Sequence, residues 1–522
     1  MSPARPPGPD LGPDLGLDPL TESEARAERA REAEARARLA ETVVLRRRQR
    51  RLPPDALFSA ALFALALLPR LYVALAWARE PVWDGHYYDF GARRIARGLG
   101  YSDDVMVGGE ARWHPWCHYP VGYSGFLALA YRAFGDGPRV APVAGAVVGA
   151  LLALVVHRLA RRAMSPNRAR LAGLLVALSP ELIAYAALLM TEPLASLGPL
   201  VAAWLVARGR AERRPWPWAL GAGAVMGLTT LVRPQLVLAA PMLGLIALDP
   251  PRLRASLRRA LAVAGLATLA CLAVVAPWTW RNCRVMDGCA FVSTNAGWNL
   301  AIGAFPRATG RFETLRGADG CPVVTGQVQQ DRCWGKLGLH YIRHDTRRWL
   351  GLVPEKLAQT FDHASFPMGY LGEADPQRWG EGRRRLGREI LTRAHGVVLL
   401  AAAFVAVSRR PPTRAGRLAQ GALGLGLVAL AVFVFTDDRH PFWWFAALTP
   451  LLAAAPLPGR SPLGPVLRYL VTLYASVVLT HAVFFGEDRY HVVLTPVFAL
   501  LAAAALPRYP RACGQAPGPS GA

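Results

Sequence analysis

Residues 138–157 read PRVAPVAGAVVGALLALVVH, and the chain continues at once into RLARRAMSPNRAR at 158–170. An apolar run of about 20 residues closed by a knot of arginines is long enough to cross a hydrocarbon core as a helix, and the arginines mark its cytoplasmic end. The same alternation recurs along the chain. Arginine clusters at Arg46–Arg51, Arg208–Arg214, Arg252–Arg259 and Arg409–Arg417 each flank a hydrophobic stretch. With 53% hydrophobic and 18% charged residues in 522, the chain is too apolar for a set of soluble domains. The formal charge of +24 could suggest nucleic acid, but basic residues confined to span ends follow the positive-inside rule, and a nucleic-acid partner is not expected.

Working outward, we read spans near 56–78, 138–157, 169–187, 191–208, 217–232, 235–248, 259–278, 393–408, 417–436, 441–456, 464–485 and 490–506. These predict an all-α polytopic membrane protein with about twelve transmembrane helices. Starting inside, the count puts every arginine cluster and both termini on the cytoplasmic side of the cell inner (plasma) membrane. Residues 1–55 form a polar N-terminal segment, with an Ala/Glu/Arg-rich helix over Thr21–Glu41, and 507–522 a short tail. No removable signal peptide is evident, because the first apolar run starts only at Ala56. The transmembrane region is then 56–506, with two long outer loops at 79–137 and 279–392. Tyr119–Phe134 is read as an interfacial helix, since making it a crossing would turn the 158–170 arginines outward. Cys283, Cys289, Cys321 and Cys333 fall in the second outer loop, where one or two disulfides are expected; spacing leaves their pairing open.

The chemistry-bearing residues gather on the outer side. Trp83-Asp84-Gly85 places a carboxylate at the rim of the bundle, where desolvation raises a pKa toward that of a general base; a helix cap for the following segment is the structural alternative. Glu192, in Thr191-Glu192-Pro193, lies beside apolar sequence, where an ionisable group is either functional or an acidic cap of the next helix. Arg233, Arg281, Arg439 and Arg489 stand on the side the positive-inside rule disfavours. Planar guanidinium forks converging at the outer leaflet suit a phosphate, although pairing with neighbours such as Asp438 or Asp488 is the alternative. His340 and His344 have two-histidine metal spacing but no HExxH context, so no metal site is assigned there.

Several motifs together carry a family resemblance. They are Trp83-Asp84-Gly85 with ARRIARGLGY at 92–101, HYPVGYSGFLALAYRAFG at 118–135, Thr191-Glu192-Pro193, Leu231–Pro234, Pro277–Asn282 with STNAGWNLAIG at 293–303, and Arg489-Tyr490 before Pro496. In this order they resemble the GT-C superfamily of integral-membrane glycosyltransferases, near the protein O-mannosyltransferases and the lipid A aminoarabinose transferases. The resemblance implies a GT-C-like bundle with interfacial helices in the first outer loop and a small extracytoplasmic loop domain. It also implies transfer of a sugar from a polyprenyl-phosphate donor to a lipid, glycan or protein acceptor. Asp84 would be the base, with Glu192 as a second catalytic carboxylate. Arg489, Arg233, Arg281, Tyr490, His118 and Tyr119 would form the donor-phosphate contacts. No cofactor is required by this reading, although a divalent cation is compatible with it. Departures are also present: Gly85 stands where relatives often carry a second acid, and His118-Tyr119 where some carry a lysine before Pro120. A secondary transporter is the rival from another class, which would put charge near the membrane midplane and show repeated halves; an inactive scaffold on the same fold is a third reading.

Overall fold

The computed structural model describes residues 54–506, apart from 211, 213, 250–251, 323–325, 410 and 456–459. The expected helix at 21–41 and the tail at 507–522 lie outside the described residues. The chain divides into two compact units, Met1–Phe58 and Ser59–Ala522. Of the first only residues 54–58 are described; the fold is that of the second.

The architecture is all-α, with one β-hairpin. In chain order the elements are α1 (Pro54–Ala76), α2 (Asp84–Ala96), the hairpin strands β1 (Ser102–Val107) and β2 (Glu110–Pro115), α3 (Val121–Phe134), α4 (Val140–Ala160), α5 (Pro166–Ala177), α6 (Pro180–Ala184), α7 (Glu192–Gly209) and α8 (Trp216–Val232). A broken helical stretch, Pro234–Ala247, leads to α9 (Leu253–Val285). The second long loop carries α10 (Ala296–Ile302), α11 (Gln327–His344), α12 (Val353–Phe361) and α13 (Phe366–Ala374). The chain then returns through α14 (Glu381–Ala403), α15 (Arg414–Thr436), α16 (Trp443–Ala454), α17 (Pro465–Val483), a 3-10 turn (Asp488–Val493) and α18 (Thr495–Ala505).

Each of the apolar segments read from the sequence falls on one of these helices or on a broken pair. Among the described residues six helices are long and apolar enough to cross a membrane unaided, and α5 with α6 adds a seventh if the pair, bent by 47°, is one span. Of the others, α8, the Pro234–Ala247 stretch, α16 and α18 are shorter apolar helices of 10–17 residues, and α7 has 18 residues. Burial separates their roles. Every residue of α18 from Thr495 to Ala504 is buried, as expected of a helix apolar all round and packed on α5 and α14 at the centre of the bundle. By contrast only 11% of α15's apolar window is buried, and Leu418, Leu425 and Phe433 face outward where lipid tails would cover them.

The bend between α5 and α6 has a local cause. Ser179-Pro180 cannot continue the α5 ladder, since proline supplies no N–H, and the carbonyls of Val176 and Ala177 are left over. Arg70, wholly buried in α1, donates to both, at 2.8 and 2.7 Å. A charged side chain buried in a span survives because its terminal Nη donors are taken up by backbone carbonyls, with Nε left unpartnered among the described residues.

The two long loops are built structures. In the first, α2 packs along α3, the 14-residue helix whose sequence had suggested an interfacial position. In the second, α10 packs on α11, and disulfides join Cys283 to Cys289 and Cys321 to Cys333. Cys117 and Cys271 are free and buried.

Candidate active site

Asp84 is the first residue of α2, at a forced turn. Trp83, just before it, has φ 51° and ψ −134°, a region that L side chains rarely occupy. Its indole is held there by packing against Phe366 and Tyr370, at ring-centroid distances of 5.5 and 5.8 Å. Gly85 follows because nothing larger fits: a Cβ there would lie 2.5 Å from Tyr370 Oη and 3.0 Å from the Leu189 carbonyl. Space alone thus accounts for the absence of a second acid at this position.

The Asp84 carboxylate does not cap α2. Tyr119 donates its hydroxyl to Oδ1 at 2.8 Å, and Arg489 places Nη1 2.5 Å from Oδ2. Burial pushes the carboxyl upward, but the Arg489 guanidinium, by charge and by hydrogen bond, then the Tyr119 hydroxyl and His118, outweigh it and hold Asp84 below the usual carboxylate range. This reverses the expectation from the sequence. Desolvation operates as expected, but a cation from the far end of the chain overrides it.

Arg489 comes from the 3-10 turn between α17 and α18. Asp488 fixes that turn by accepting from the backbone N–H of Phe366 at 2.6 Å and from the hydroxyl of Ser365 at 2.8 Å. Asp488 therefore anchors the turn on the start of α13, and Arg489 pairs instead with Asp84 and with Glu487 Oε2, at 2.5 Å. Its Nη2 makes no hydrogen bond among the described residues. Arg233, at the end of α8, binds Glu192 through Nη2 and Thr191 Oγ1 through Nε at 3.2 Å. Both guanidinium carbons lie 5.2 Å from the centre of the Tyr490 ring, which also stacks on His481.

These groups face one cleft of about 460 Å³, walled by Asp84, His118, Tyr119, Arg233, Arg489 and Tyr490 from the predicted set. Glu192 is not part of its wall. It is fully buried behind Arg233, with one carboxylate oxygen on the guanidinium and Oε2 unpartnered among the described residues. Arg281 does not join the cleft either. Its guanidinium donates to the carbonyls of Tyr101 and Trp116, at 2.7 and 3.0 Å, and lies over Trp278, so it ties the first outer loop to α9. His118 meets Tyr119 and Trp298 edge-on, and burial, against the pull of Asp84, lowers its pKa. His340 and His344 sit on the surface of α11, away from the cleft.

The sequence assigns no role to several other wall residues. Asn295, Trp298 and Asn299 fall within the 293–303 motif. Phe312 to Leu315 and His481 carry no signal at all, because only the fold brings them to Asp84.

Residues 118–280 match the sequence model of a family described as dolichyl-phosphate-mannose-protein mannosyltransferase. Over this segment the chain is similar to that family. The matched segment contributes Tyr119 and Arg233 to the cleft; Asp84 and Arg489 lie outside it on either side. A search of curated proteins gives no match. Among solved structures the chain is similar to the oligosaccharyltransferase AglB of Archaeoglobus fulgidus, in complex with an inhibitory peptide and a dolichol-phosphate. The identity is 12% and the TM-score 0.39, over 86% of this chain and 50% of that one. It is also similar to ArnT of Cupriavidus metallidurans bound to undecaprenyl phosphate, with 16% identity and a TM-score of 0.38 over 85% of this chain and 77% of that one. The chain thus spans about half the length of the oligosaccharyltransferase it matches.

Proposed function

We propose that this protein is a GT-C glycosyltransferase that transfers a sugar from a polyprenyl-phosphate carrier to an acceptor hydroxyl, in a cleft that opens on the extracytoplasmic side of the plasma membrane. In this reading residues 79–137 and 279–392 lie outside, both termini lie inside, and the acceptor is a lipid, glycan or protein. The observation that carries it is the Asp84–Arg489 pair at the wall of the cleft, with Tyr119 on the other carboxylate oxygen.

The chemistry follows from the pair. The acceptor O–H gives its proton to an Asp84 oxygen as its oxygen attacks the anomeric carbon. The bond from that carbon to the phosphate oxygen breaks, and the lipid phosphate leaves with the electron pair. Charge thus develops on the phosphate, where preorganised cations lower the barrier most. Arg489 Nη2 and Arg233 Nη1 are the uncommitted guanidinium nitrogens of the cleft and supply that contact. As the phosphate draws on Arg489, its hold on Asp84 loosens, and burial is then free to raise the carboxyl toward a useful base. Glu192 acts behind Arg233, as the anion that orients it.

The test is a transfer assay on purified protein in liposomes with a panel of polyprenyl-phosphate sugars. Wild type is expected to transfer from at least one donor, with Asp84→Asn reduced by about 10²–10⁴, the usual contribution of a general base. Undiminished transfer by the variant would remove Asp84 from the role, and solute flux without transfer would replace the whole reading by transport.

A further inference from the structure

Outside the cleft, three buried side chains from distant parts of the chain meet. Glu181 begins α6, His395 lies in α14 and His491 in the 3-10 turn, and each offers a ligand atom within 4.8 Å of the others. None of the three belongs to the wall of the cleft. All are nearly or wholly inaccessible, at 3%, 6% and 0% exposure.

Their hydrogen bonds fix the ring protons. His491 Nδ1 lies 2.9 Å from the Thr360 carbonyl and His395 Nε2 lies 3.0 Å from the Phe361 carbonyl. A carbonyl only accepts, so each of those nitrogens carries a proton. The remaining nitrogens are what the site presents. His491 Nε2 faces Glu181, 2.9 Å from Oε1 and 3.1 Å from Oε2, while His395 Nδ1 is buried with no hydrogen-bond partner among the described residues. A doubly protonated His491 would satisfy Glu181, but it would leave the His395 lone pair stranded and set a second imidazole 3.9 Å, centroid to centroid, from a cation. A metal ion answers all three groups at once. Imidazoles held by N–H bonds to backbone carbonyls, with the opposite nitrogen turned inward, are the usual arrangement around a bound metal.

We propose that Glu181, His395 and His491 bind a divalent transition-metal ion. Two neutral imidazole nitrogens and one carboxylate oxygen suit zinc, with a fourth position left for water. A neighbouring cavity of about 350 Å³ is otherwise mainly apolar and has Glu181 and His395 in its wall, which gives the ion a way in and that fourth ligand room. The ion would tie α6 and α14 to the turn that carries Arg489 two residues before His491, with the end of α12 as its outer support.

The experiment uses the full chain with a tag free of histidine, in a His340→Ala/His344→Ala background so that the exposed pair on α11 cannot contribute metal. The protein is stripped with chelator, reloaded with Zn²⁺, desalted and analysed by inductively coupled plasma mass spectrometry. About one zinc per chain is expected, falling to the blank in His395→Gln and Glu181→Gln, with zinc raising the melting temperature of the parent but not of the variants. Zinc at blank level in the reloaded parent, or equal zinc in parent and both variants, overturns the proposal. Should the variants not fold, X-ray absorption of the zinc-loaded parent decides: scattering from two imidazoles supports the site, and a spectrum without histidine overturns it.

Discussion

Arg489 Nη1 lies 2.5 Å from Asp84 Oδ2 across a sequence separation of 405 residues, so the 3-10 turn before α18 holds the acid that begins α2. Removing Arg489 leaves Asp84 without its cation in a largely buried place, whereas removing Asp84 leaves Arg489 still paired with Glu487. Arg489→Ala should cost about 3–5 kcal/mol of stability, as broken buried pairs do, and Asp84→Ala less, with the double variant costing less than the sum. Thermal or denaturant unfolding of the four proteins measures the coupling, and additive costs would mean that the two side chains do not interact in the folded protein.

The pH behaviour follows from the direction of the Asp84 shift. Its folded pKa lies below the ordinary value near 4, so the stability contributed by the pair is present above that value and is lost as pH falls through the folded pKa. Asp84→Asn should lack this acid-sensitive component. For transfer activity, kcat/KM reports the free enzyme and should keep its acid limb below about pH 4. In kcat, measured with donor bound and Arg489 engaged by phosphate, the limb should move to higher pH. Identical acid limbs in the two profiles would show that donor binding does not release Asp84.

Gly85 predicts a steric effect that can be reversed. Gly85→Ala puts a methyl against Tyr370 Oη and should destabilise by about 1–3 kcal/mol, as overpacking does, while lowering transfer through displacement of Asp84. Adding Tyr370→Phe removes the nearest atom and should restore much of both, read by unfolding and by rate.

Glu192 tests whether a buried acid acts on chemistry or on position. Its carboxylate is outside the cleft and bound to Arg233. Glu192→Gln should therefore raise KM for the lipid-phosphate donor more than it lowers kcat, by weakening the hold on Arg233. If turnover instead fell by about two orders of magnitude at unchanged KM, the carboxylate would be making an interaction found only in the transition state.

The helical segments were legible in the sequence because lipid leaves the backbone few options, and long apolar runs ended by arginines state them plainly. Asp84, Tyr119, Arg233 and Arg489 were legible as unusual residues on the outer side, and the fold brings them to one cleft. Arg281 has the same local appearance, yet it is used on the carbonyls of Tyr101 and Trp116, a partnership that nothing near it in sequence announces. The direction of the Asp84 shift was hidden for the same reason: desolvation is a local property, whereas the opposing cation arrives from the other end of the chain. Glu181, His395 and His491 give no signal because each looks ordinary in its own segment and only packing assembles them.

The guanidinium of Arg70 on the carbonyls of Val176 and Ala177 bears on the order in which the chain is made. During synthesis the first span is delivered to the bilayer well before the break at Ser179-Pro180 emerges, and it waits with an arginine that lipid tails cannot solvate. The break, in turn, arrives with carbonyls that lipid cannot satisfy. Each segment is costly alone and acceptable once paired, so the meeting of α1 with α5 relieves both costs at once.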